Sequence, residues 1–70
     1  MDKQDKEILK LIKYCEHWAD HNISHKESYI KWRDVANERG LNEVAENLDN
    51  AIEMIDKCNG YLLAARRILE

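Results

Sequence analysis

All three histidines of this chain recur at intervals of one helical turn, at His17, His21 and His25. Imidazole is the commonest side-chain ligand of transition metals, and two histidines four residues apart on a helix can share one ion. Two ligands seldom suffice, so Asp20, Glu16, water or a second subunit would have to complete the coordination shell. The pattern predicts a site for a divalent transition metal whose ligands are the three histidines, with Asp20 as an auxiliary ligand.

The histidines leave a second interpretation open. Taken singly, His17 and His21 are typical of an ordinary polar helix face, and His25 is typical of a structural histidine in a core. In a straight helix His17 and His25 would lie about 12 Å apart along the axis, so one ion could contact all three only if the chain bends near Asn22. The sequence does not decide whether His25 faces a core or a site.

Apolar residues recur with a helical period in three segments, which predicts three helices. The first covers about residues 2–21 and ends at Asn22, a residue that tolerates the left-handed conformation of a helix end. The second starts at His25, after a capping box that begins at Ser24, and ends at Gly40.

The third predicted helix has the most regular pattern. Asn42 is its expected N-cap, and its apolar residues alternate at spacings of three and four, as in a coiled coil. This stripe consists of Leu41, Val44, Leu48, Ala51, Ile55, Cys58, Leu62, Ala65 and Leu69. Asn59-Gly60 interrupts the composition but not the phase, so one long helix is favoured over a helix–turn–helix with a short fourth helix.

Together these segments predict an all-α, antiparallel three-helix bundle that forms a single domain over residues 1–70. Trp18, Trp32, Cys15 and Cys58 lie on apolar stripes and are expected in its core. The third helix, of about 28 residues, would be roughly 42 Å long and would outreach the other two, exposing apolar side chains at one end. A homodimer would bury them, and a shorter or bent third helix in a monomer is the alternative.

Composition excludes several classes of function. The chain has 70 residues, no proline, two glycines and a net charge of −3, without the basic face of a nucleic-acid module. No apolar run approaches the roughly 18 residues that a membrane span needs, and the N-terminus lacks a signal peptide, so a cytoplasmic protein with reduced thiols is expected. No nucleophile–base motif, phosphate loop or Glu-x-x-His pair occurs, so an enzyme is not expected.

Two stretches resemble a known family. They run from His17 to His25, as H-W-x-x-H-N-x-x-H, and from Trp32 to Ala45, as W-x-x-x-A-x-x-x-G-L-x-x-V-A. This pattern resembles small uncharacterised helical domains of archaea and anaerobic bacteria, some of them linked to nickel-handling accessory proteins. The resemblance spans residues 14–65 and implies that the three histidines act together. Ile23-Ser24 replaces charged residues of the family, and a histidine-rich tail is lacking, which disfavours nickel storage.

These observations predict a small non-catalytic accessory module that binds nickel or zinc through its histidine cluster. The alternative hypothesis is an oligomerisation or protein-docking module without a ligand. Its working surface would be the heptad face of the third helix, from Leu41 to Leu69.

Overall fold

The computed structural model describes residues 5–70 and contains two helices, α1 (Lys6–Glu38) and α2 (Asn42–Leu69). They form an antiparallel hairpin that measures 55 × 15 × 12 Å. The chain is all-α, but the predicted three-helix bundle is wrong, because the first two predicted helices are one continuous helix. Neither α1 nor α2 combines the length and the apolar character that crossing a bilayer requires.

The predicted break between residues 22 and 25 does not occur. Asn22 and Ser24 cost a helix less than about 0.7 kcal/mol each relative to alanine, and no glycine or proline stands beside them. Asn22 also gains an interhelical partner, since its Nδ2 donates to Asn59 Oδ1 over 2.8 Å. The expected capping box at Ser24 is therefore absent, and its residues lie within α1.

The N-termini of both helices are set by other residues than the sequence predicts. Asp5 caps α1, accepting hydrogen bonds from the backbone N–H groups of Glu7 at 2.9 Å and Ile8 at 3.4 Å. The predicted start near Asp2 lies outside the described residues. The N-cap of α2 is Leu41 rather than Asn42, and it makes no side-chain capping bond.

Gly40 ends α1 as predicted, with a φ of 73°. Leu41 N–H donates to Ala36 O at 2.9 Å, and Gly40 N–H donates to Asn37 O at 3.1 Å. This pair of bonds is a Schellman motif, in which the glycine takes the left-handed position that costs a side chain about 1–2 kcal/mol.

The two glycines offer a matched pair of substitutions. A Cβ at either Gly40 or Gly60 would meet no atom within 4 Å, so only backbone conformation distinguishes them. We expect Gly40→Ala to lower the free energy of unfolding by about 1 kcal/mol or more, and Gly60→Ala, inside α2, to raise it by about 0.5–1 kcal/mol. Denaturant titration at one protein concentration measures both; changes of equal sign would contradict the assigned backbone conformations.

The helices contact each other along a seam whose residues recur at spacings of three and four, all of them buried or half-buried. On α1 the seam consists of Ile12, Cys15, Ala19, Asn22, Lys26, Tyr29, Arg33 and Ala36. On α2 it consists of Ala45, Leu48, Ile52, Ile55, Asn59, Leu62, Arg66 and Leu69. The buried members are small, namely Cys15, Ala19, Ala36 and Ala45. The prediction that α2 is one long helix is confirmed.

Polar contacts across the seam fix how the helices align. Asn59 Oδ1 accepts from Asn22, and its Nδ2 donates to Ala19 O over 3.1 Å. A paired asparagine layer of this kind specifies alignment in helical coiled coils, because any shift would leave amide groups without partners.

Candidate functional site

The histidines lie on the exposed surface of α1 and converge only in part. The rings of His17 and His21 have centroids 6.2 Å apart. Those of His21 and His25 are 4.5 Å apart and nearly perpendicular, and their two Nε2 atoms are separated by 2.9 Å. Without an ion, one of these rings donates its N–H to the other. The structure thus brings together two of the predicted ligands, His21 and His25.

The complete predicted ligand set does not assemble within one chain. Because α1 is straight through Asn22, His17 and His25 stand about 12 Å apart along the axis, too far for one ion. The charge of Asp20 acts on Arg66 of α2. Within residues 5–70, no group of three or more histidine, cysteine, aspartate or glutamate side chains could hold a metal ion.

The distance within the histidine pair is compatible with a shared ion. Metal–nitrogen bonds of about 2.0–2.1 Å place neighbouring ligand nitrogens about 2.9 Å apart at a 90° angle, and about 3.4 Å apart at a tetrahedral angle. The 2.9 Å between the Nε2 atoms of His21 and His25 is that of an N–H···N hydrogen bond and lies within about 0.5 Å of either spacing, so both rings could contact one ion after a small adjustment. Such an ion would need further ligands from outside this chain.

The two tryptophans lie outside the core in which the sequence predicts them. Trp18 and Trp32 are expected in the core, yet their side chains are 44% and 56% exposed. Cys58, also expected in the core, is exposed, whereas the prediction of a buried Cys15 is confirmed. Only some residues of the stripe predicted on α2 belong to the seam. Those that face α1 are Leu48, Ile55, Leu62 and Leu69. The stripe residues between them lie to one side of the seam.

The two tryptophans and Cys58 belong to one surface beside the seam. On each helix its members recur every seven residues and so share a face, and in an antiparallel pair the two rows adjoin. We call this surface the tryptophan flank; it consists of Leu11, Trp18, His25 and Trp32 of α1 and Val44, Ala51, Cys58 and Ala65 of α2. Its strict seven-residue period is the signal that sequence reasoning could have used.

The other side of the seam has a different character. Three ion pairs cross it, joining Lys26 to Asp56 at 2.6 Å, Arg33 to Asp49 at 2.6 Å and Arg66 to Glu16 at 2.9 Å. Apolar side chains occur there too, among them Ile23, but these bridges separate them. Two acidic residues of α2, Asp49 and Asp56, are thus paired with α1.

Hydrogen bonding stabilises the charged form of both bridging arginines. The hydrogen bond that Arg33 donates to Asp49, and after it the one it donates to Asp34, raises the pKa of Arg33 above its usual value. The bond that Arg66 donates to Glu70 does the same for the pKa of Arg66. Solvent screens exposed pairs of this kind, so they orient the helices more than they stabilise them.

The fold and its surface define a small two-helix module with an apolar flank and a paired-histidine site. The chain belongs to a family described as a domain of unknown function (DUF8180), whose model matches residues 11–69. This match covers the histidine pair and nearly all of both helices. The chain has no match among the curated proteins compared with it, and none among the solved structures.

Proposed function

We propose that this chain is a non-catalytic association module, and that its tryptophan flank binds the same flank of a second copy to form a four-helix bundle. The observation that carries the proposal is the exposure of Trp18 and Trp32 beside a seam of small residues. Water-exposed apolar surface of this extent is costly, and it marks an interaction site in most proteins.

The exposed area of the hairpin supports a partner of defined size. A compact monomer of 8.3 kDa exposes roughly 4,600 Å², so the 5669 Å² of this chain exceeds it by roughly 1,100 Å². A standard interface buries about 800 Å² on each partner. Covering the flank with the flank of a second copy can therefore remove most of this excess exposed area.

The dimensions of the hairpin lead to the same conclusion. Its radius of gyration is 16.3 Å, against roughly 11 Å for a compact chain of this length. The buried residues of the described chain are Cys15 and three alanines, so the hairpin has little core of its own. Helical hairpins that pair into bundles gain the missing core from the second hairpin.

The make-up of the flank favours a second copy as its occupant. It contains no carboxylate, lysine or arginine, so two flanks meet without repulsion between like charges. One row carries the bulky side chains of Trp18 and Trp32, and the other carries Ala51 and Ala65. Large and small residues in adjoining rows supply both knobs and holes, which a self-complementary interface requires.

Sedimentation equilibrium tests this proposal directly. The wild-type chain is expected to show twice the 8.3 kDa of a single chain at micromolar concentration, and its thermal midpoint should rise with protein concentration by mass action. A mass of one chain throughout, with a concentration-independent midpoint, would refute self-association.

Metal binding is the second candidate function. The support for it is the convergence of the His21 and His25 Nε2 atoms, which lie 2.9 Å apart, so that one ion could reach both rings. The module would then serve metal handling as an accessory protein, with nickel or zinc as the ion.

A further inference from the structure

We infer that two copies of the hairpin complete one metal site between them, with His21 and His25 of each chain as its four ligands. This inference rests on the proposed association through the tryptophan flank. One chain supplies two convergent nitrogens, and the described residues of that chain supply no third ligand. Because a two-ligand site is too weak to retain an ion, the second copy is the natural source of the others.

The histidine pair lies within the surface that would be buried. His25 belongs to the tryptophan flank, seven residues after Trp18 and seven before Trp32. His21 lies one turn before it and reaches it through Nε2. A second flank covering the tryptophans therefore also covers the histidine pair.

The pair also lies at the middle of the paired helices. Arg66–Glu16 joins the hairpin near its open end and Arg33–Asp49 near the turn, with Lys26–Asp56 between them. His25 precedes Lys26 in the chain, so it lies at the same level along the hairpin as this central bridge, on the other side of the seam. In a two-fold interface, residues at the centre of the patch meet their own copies, whereas residues at its ends meet the opposite end. The central position thus brings one histidine pair to the other.

Four imidazoles at this spacing suit a particular class of ion. Imidazole suits nickel(II), copper(II) and zinc, and the 2.9 Å between the two Nε2 atoms lets one such ion reach both rings after a small adjustment. Coordination requires neutral rings with the proton on Nδ1, so the ring that donates through Nε2 must shift its proton when the ion binds. The apolar flank would keep competing water away from the ion.

Calorimetric titration of the untagged, metal-stripped protein with nickel chloride tests the inference. We expect binding at micromolar affinity or tighter, with one ion per two chains and visible ligand-field bands of nitrogen-ligated nickel. The variant His21→Ala, which leaves every residue of the tryptophan flank unchanged, should lose this binding at least a hundredfold while keeping the helicity and dimer mass of the wild type. A ratio of one ion per chain, or no binding at millimolar nickel, would overturn the shared site.

Two controls isolate the ligand set. His17→Ala should bind nickel as the wild type does, because His17 does not converge with the pair. Cys58→Ser should also bind normally; a large loss would mean that a thiolate, and not four imidazoles, holds the ion. A dimer that binds no nickel refutes the metal site alone, whereas a chain that stays monomeric with and without nickel refutes the proposed association as well.

Discussion

A protein in which Trp32 is replaced by glutamate is expected to sediment as a monomer at concentrations where the wild-type chain is a dimer. A tryptophan contributes 150–250 Å² of contact area, and a carboxylate placed in a dry interface costs several kcal/mol unless it is paired. A combined loss of about 4 kcal/mol weakens dimerisation roughly a thousandfold. Because Trp32 already faces solvent in the hairpin, the variant should keep its helical circular dichroism.

Ile23→Glu is the matched control for that experiment. Ile23 is 46% exposed on the same helix, but it lies on the side of the seam that the ion pairs cross. This variant should remain dimeric. Equal loss of the dimer in both variants would show that the tryptophan flank is not the specific interface. A dimer in both variants would show that the chain associates through another surface.

The second large effect is expected in the seam. Ala36 is 4% exposed in the seam and lies beside the turn, where its carbonyl accepts from Leu41 N–H. Ala36→Leu adds three carbons to this closely packed position and should lower the free energy of unfolding by about 1–3 kcal/mol, because the helices must separate or the side chain must leave its preferred rotamer. Denaturant unfolding followed by circular dichroism measures the loss.

Ser24→Leu provides the comparison at an exposed position of α1. The same side chain there has a higher helix propensity than serine and meets no neighbouring helix, so stability should stay unchanged or rise by a few tenths of a kcal/mol. If both leucine variants had the same stability, the seam at Ala36 would be looser than the structure indicates.

The hydrophobic period was sufficient to predict helices, the uninterrupted course of α2 and the turn at Gly40. It could not predict that α1 passes through Asn22. Asparagine at a helix end and asparagine in a paired polar layer look alike in sequence, and only the partner, Asn59, distinguishes them. Asn59 itself was interpreted as a weak point of α2, although it is the other half of that layer.

The tryptophans were misplaced because periodicity locates an apolar stripe without saying how many neighbours cover it. In a hairpin each helix has one neighbour, so Trp18 and Trp32 extend beyond the seam. The arrangement of the three histidines was predicted only in part. Turn spacing placed His17 and His21 on one face and left the approach of His25 to His21 open, whereas in the structure His21 and His25 converge and His17 does not, because α1 continues through Asn22.

The tight turn at Gly40 has a consequence for how the hairpin forms. Ala36 and Ala45 are buried on either side of it, so their contact closes a loop of only about ten residues, an event of roughly 10–100 ns. Contacts towards Glu16 and Arg66 join residues far apart in the chain and must follow in order. Folding should therefore start at the turn and proceed as a zipper, so that changes near Gly40 slow folding and changes near Arg66 mainly accelerate unfolding.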